Sequence, residues 1–102
     1  MGNAIMEFLK TDRFLLRQWE RNIENGLVHK ILPYVETDKR CNQKGIVIIT
    51  PSFLSPKGIQ TKTPKQCLVL IHRNRRLLSV YWCDHPAYLL QKEKDAKFQF
   101  LY

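Results

Sequence analysis

Between Lys39 and Cys83 the chain contains no aspartate and no glutamate, yet it holds nine of the 17 lysines and arginines. The flanks are balanced. Residues 1–38 carry five basic and six acidic side chains, and residues 84–102 carry three of each. The net charge of +8 therefore arises in the middle segment. A field of one sign draws polyanions, of which nucleic acid is the commonest. A surface charged only for solubility interleaves both signs. Without carboxylates in this segment there is little to hold a catalytic cation, so no metal and no cofactor is expected.

Other absences narrow the choice. No apolar run approaches the ~18 residues of a membrane span, so no membrane partner is expected. The start, MGNAIMEFLK, lacks the features of a signal peptide, and Met6 stands where a myristoylation pattern after Gly2 needs Ser or Thr. The cysteines Cys41, Cys67 and Cys83 are odd in number and form no C-x-x-C, which points to free thiols and a cytoplasmic setting. Cys83-Asp84-His85 has no second ligand pair at zinc spacing. There is no glycine-rich phosphate loop, no G-x-S-x-G, no convincing carboxylate pair and no aromatic motif of the RNP type. No repeat or linker divides the 102 residues, so residues 1–102 are expected to form a single domain.

Residues 11–36 read as two helices. Thr11 or Asp12 caps the first, and Leu16, Trp19 and Ile23 fall on one face at i, i+3, i+7. After a break at Asn22–Gly26, Leu27, Val28, Ile31, Leu32 and Val35 mark a second amphipathic helix, which Pro33 ends near Leu32. A basic loop over residues 37–44 leads to the strand GIVIIT. Residues 51–66, with three prolines and three lysines, read as a long exposed loop with an edge strand near 59–62.

Residues 67–82 predict a β-hairpin turning at Asn74-Arg75. Strict alternation puts Cys67, Val69, Ile71, Leu78, Val80 and Trp82 on the face that takes the helices. The opposite face then carries His72, Ser79 and Tyr81 among leucines. PAYLLQKEK predicts a short C-terminal helix and AKFQFLY a last strand. The expected fold is α+β: two N-terminal helices on a small antiparallel sheet of three to four strands with a central hairpin, followed by a short helix.

Three constellations could carry function. Arg13, Arg17 and Arg21 recur at i, i+4, i+8 on the first helix, and guanidinium forks suit phosphate. At the hairpin tip, His72, Arg73, Arg75 and Arg76 form a charge knot that Lys57, Lys62 and Lys65 of the long loop could extend into a phosphate clamp. Tyr81 and His72 share a predicted face, with His85 just beyond, and all three are candidate proton carriers.

The segment R-x-x-x-R-N-I at residues 17–23, the amphipathic helix after it and the later RLLSVYW together resemble the small RelE/BrnT-like toxin-type domains. The resemblance covers residues 11–82. Related domains open the first helix with His where this chain has Arg13, and Asn22 replaces their usual Gly. What it implies is a metal-independent endoribonuclease. One group would take the proton of an RNA 2′-OH, another would protonate the leaving oxygen, and cations would stabilise the transition state. His72, His85, Tyr81 and Arg76 are the catalytic candidates. Arg13, Arg17, Arg21, Lys57, Lys62, Lys65, Arg73 and Arg75 are the candidates for RNA binding. The alternative is a non-catalytic interaction protein of phage or mobile-element type, binding nucleic acid or an acidic protein such as an antitoxin.

Overall fold

The computed structural model describes residues 8–36 and 43–102. The basic-loop expectation therefore lies outside the described residues from 37 to 42, as do Cys41 and Gly2.

Helix α1 (Asp12–Glu20) starts where Thr11 leaves the extended conformation. The Thr11 Oγ1 accepts the Phe14 N–H at 3.1 Å and donates to the Leu77 carbonyl at 2.8 Å. One hydroxyl thus caps the helix and ties it to a distant strand. The helix closes at Arg21, and Asn22 follows at φ 54, a left-handed position that asparagine tolerates. Phe14 and Gln18, one turn apart, are buried. This corrects the expected core face: Leu16 and Trp19 are 53% and 77% exposed. Ile23 is buried but lies beyond the end of the helix, so helical spacing does not relate it to Leu16 and Trp19. Helix α2 (Asn25–Ile31) runs into a 3-10 turn, Leu32–Tyr34, at Pro33, as the proline predicts.

The strands are β1 (Leu9–Lys10), β2 (Gly45–Ile49), β3 (Cys67–Arg73), β4 (Arg76–Cys83) and β5 (Lys97–Leu101). They lie in the order β1-β4-β3-β2-β5. Pairs β2–β3 and β3–β4 are antiparallel, while β1–β4 and β2–β5 are parallel. The fold is α+β, but the expected antiparallel sheet of three to four strands under two helices is corrected: the described residues form a five-stranded mixed sheet with four helices. Helix α4 (Ala87–Lys92) joins β4 to β5, and that crossover brings β5 in parallel to β2. The predicted long loop is also partly ordered. Pro51 and Pro56 sit in the first turns of helix α3 (Pro51–Leu54) and a 3-10 turn (Ser55–Lys57), where a missing N–H costs nothing. Gly58, at φ 78, closes this segment, and residues 59–62 form no strand.

The hairpin forms, but β3 is turned over relative to strict alternation: Leu68 and Leu70, rather than Cys67, Val69 and Ile71, share a face with α1 and α2, and Leu77 takes the place expected of Leu78, while Val80 and Trp82 lie on that face as expected. Ile71 pairs with Ser79 and His72 with Leu77, so Leu78 is an extra residue in β4, a β-bulge. One face of the sheet presents Val47, Ile49, Leu68, Leu70, Leu77 and Val80 to Phe14, Val28, Ile31, Leu32 and Leu54 of the helices. The other presents Ile46, Ile48, Cys67 and Val69 to Leu89 of α4, with Tyr81, Cys83 and Phe98 half-buried around them. Two layers of helix therefore enclose the sheet, which suits the full burial of all five β2 residues. Cys67 and Cys83 are cross-strand partners and both are free thiols. Among the described residues no helix is long and apolar enough to cross a membrane.

Candidate nucleic-acid interface

The hairpin turns through Asn74 at φ 52 and Arg75 at φ 62, the paired left-handed conformations of a type I′ turn. Asparagine adopts this readily. Arginine does so at a cost of about 1–2 kcal/mol, because its Cβ crowds the following carbonyl. Arg75→Gly is expected to relieve that crowding. After the extra chain entropy of glycine is subtracted, a gain of about 0.5–1 kcal/mol should remain, read as a higher urea midpoint.

Arg73 and Arg76 are exposed and directly opposite each other across β3 and β4. The register places them on the α4 face, since Arg73 alternates with Ile71 and Arg76 with Leu77. Like charges at facing positions destabilise a hairpin. No acidic side chain among the described residues pairs with Arg73, Arg75 or Arg76.

Against this tip lies a cleft of about 410 Å³, lined by Gln43, Lys44, Arg73, Ala96 and the Lys92–Asp95 segment. It holds four cations and two carboxylates. One carboxylate is already neutralised, since Glu93 meets Lys44 at 2.5 Å and that hydrogen bond holds its pKa below the usual range. The Gln43 amide donates to the Asp95 carbonyl and ties the cleft's rim together. Sequence reasoning missed Lys44, Lys92 and Lys94. The last two lie in the charge-balanced 84–102 region, where counting hides them; the fold brings them to Arg73.

The proposed proton carriers do not converge. His72, opposite Leu77, projects to the face covered by α1 and α2 and lies over Gly45, where a Cβ would clash with the imidazole Cε1 and Nε2. Phe8 meets its ring edge-on at 5.9 Å. Burial lowers the His72 pKa, so the folded protein holds a neutral imidazole. The unfolded chain, titrating near ~6.5, takes up the proton first as pH falls. Stability from this site is full above that value and declines below it until the folded-state pKa is reached. His72→Phe is expected to flatten the change in urea midpoint between pH 7.5 and 5. Gly45→Ala should cost about 1–3 kcal/mol through the clash with the ring, a loss that His72→Ala in the same chain should largely restore.

His85 is exposed beyond the end of β4, and the strand from Leu77 to Cys83 alone spans roughly 20 Å at ~3.3 Å per residue. Tyr81 is half-buried on the α4 face. Burial, with Tyr88 and Cys83 nearby, pushes its phenol up to about 12, against the pull of Arg21. It stays protonated at neutral pH. Arg21 reaches round the edge of β4, donating to Ser79 Oγ at 3.2 Å and the Val80 carbonyl at 2.9 Å, with its guanidinium 5.5 Å from the Tyr81 ring centre. β1 covers β4 only at Arg76 and Leu77, so Arg21 occupies part of the edge left open.

The other basic candidates are scattered. Arg17 pairs with Glu20 at 3.3 Å, and Arg13 is exposed in the first turn of α1. Lys57 sits over Phe53 and Tyr34, its nitrogen 4.4 and 4.7 Å from the ring centres, a cation–π contact. Lys62 and Lys65 are exposed before the start of β3, a strand length of roughly 20 Å from the tip. The loop and the tip therefore do not form one clamp.

A last feature adjoins the cleft. β5 leaves Ala96 and carries Phe98 and Phe100 on the α4 face, and Tyr102 follows just past its end, so the three rings recur at i, i+2, i+4. Their rings lie within 19° and 16° of parallel, with centres 6.4 and 6.1 Å apart. Phe100 is 38% exposed and Tyr102 is 78% exposed. The alternation of AKFQFLY holds this signal, but in sequence it reads only as a strand. No family model, curated protein or solved structure matches the chain.

Proposed function

We propose that the protein binds RNA through the hairpin-tip end of its sheet, with phosphates held by Arg73 and Arg76 and by the lysines of the adjoining cleft. The observation that carries this reading is the facing pair Arg73–Arg76, left without an acidic partner among the described residues beside a mainly cationic cleft. An anion between the two guanidiniums turns a repulsive pair into two charge-assisted contacts. The presence of Arg75 at a strained turn position favours the same reading, because strain concentrates where a residue serves a purpose other than stability. The proposed setting is the cytoplasm, where thiols such as Cys67 and Cys83 stay reduced.

Metal-independent cleavage, the activity of a RelE-like domain, needs a proton acceptor and a donor within reach of one phosphate. His72 faces the opposite layer and His85 lies beyond the far end of β4, so binding is the reading favoured over cleavage. The test is a salt titration of a labelled RNA, run in EDTA and followed by a gel. The expected result is a linear fall of log K with log salt, with a slope of about −0.7 for each phosphate neutralised. Absence of binding at ~50 mM salt would overturn the proposal, and discrete fragments on the gel would add an enzymatic step to it.

A further inference from the structure

We infer that Phe98, Phe100 and Tyr102 form a base-stacking row that makes the protein selective for single-stranded RNA. The inference rests on the RNA reading above and names its substrate class. Phe98 and Phe100 stand two residues apart along β5, so their anchor points are about 6.8 Å apart at ~3.4 Å per residue, and Tyr102 follows two residues later, just past the strand's end. They are nearly parallel, and the outer two are exposed. Bases in a duplex are paired and stacked and present only their edges, whereas a single strand offers free base faces to aromatic rings.

Charge decides the occupant. The row begins at Phe98, two residues after Ala96, which lines the cleft that holds Lys44, Arg73, Lys92 and Lys94. An apolar protein segment would gain nothing from that cluster. A polynucleotide uses both, with its backbone at the cations and its bases on the rings. The cleft and the row also share the α4 face of the sheet, so a strand anchored at Arg73 need not cross an edge to reach Phe100.

Phe98 packs with Ile46 in the core and is unsuited to substitution. Phe100 and Tyr102 are the test positions. The probe is a fluorescein-labelled oligouridine of about 12 nucleotides, within the ~4–16 range of known single-strand sites, compared with a duplex RNA of the same length. Phe100→Leu and Tyr102→Leu keep apolar surface but lose the ring. Each is expected to weaken binding of the single strand about 5- to 150-fold, leave duplex binding unchanged and leave the salt slope unaltered. Phe100→Trp should bind at least as tightly as the parent. Arg73→Ala should instead reduce the salt slope by about 0.7.

If both leucine variants bind the single strand like the parent while Arg73→Ala weakens it, stacking is overturned and the RNA reading stands. If the parent binds neither RNA, both fail. If the parent is a dimer that Phe100→Leu dissociates, the row is a self-association surface and the inference is overturned.

Discussion

Replacing Arg73 and Arg76 together by glutamate is expected to abolish RNA binding at physiological salt. Hydrogen bonds to charged groups contribute about 1.5–3 kcal/mol each. Losing two therefore weakens binding about 10²- to 10⁴-fold, before the new repulsion between carboxylate and phosphate is counted. Both side chains are exposed, and the variant exchanges one like-charged facing pair for another. Its urea midpoint should stay close to that of the parent. Lysine at both positions should recover only part of the affinity, because the ammonium lacks the guanidinium's two-pronged geometry. Glutamate at Lys62 and Lys65, past the opposite end of β3, is the control and should have a small effect. Strong loss there with none at the tip would place the contact elsewhere.

The second large effect concerns stability. Phe14 is fully buried and is the aromatic anchor of α1 against Leu77 and Val80. Phe14→Ala is expected to cost about 3–5 kcal/mol, a large share of the ~5–15 kcal/mol that holds a domain together. For a chain of this size the melting temperature should fall by on the order of 20 °C. Trp19→Ala, removing a larger ring that is 77% exposed, should change it little. The reverse ranking in thermal melts would mean that α1 packs by the Leu16–Trp19 face instead.

The contrast between Phe14 and Trp19 shows where the sequence was legible. Helix starts, the proline stop at Pro33, strand β2 and the hairpin with its turn at Asn74-Arg75 are local, and local pattern reveals them. The face that α1 buries is not local. It depends on the helix ending at Glu20, which strands Ile23 outside the periodicity that pointed to Trp19. The bulge at Leu78 is equally silent, since Leu78 and Ser79 can each sit on either face, and because of it β3 presents Leu68 and Leu70 to the helices while Val80 and Trp82 keep the face that alternation gives them. β1, two residues long, has no period to read. At the site, Arg73, Arg75 and Arg76 stood out because they crowd a turn. His72 looked like a proton carrier because nothing in its neighbourhood along the chain reveals that its ring fills the space above Gly45. Lys92 and Lys94 join Arg73 only through the α4 crossover.

The two parallel pairings also set the order in which the sheet can be assembled. The β3–β4 hairpin closes a two-residue loop, whereas Thr11 meets Leu77 across 66 residues and Thr50 meets Leu101 across 51. Loop-closure entropy puts the hairpin first and both parallel edges last, and such long-range contacts slow folding. During synthesis β2, whose five residues end fully buried, has no neighbour on its β5 side until β5 itself has been made. For that interval an apolar strand offers an open edge to any other nascent chain, so aggregation of this protein should be governed by how quickly β5 docks rather than by the stability of the finished fold.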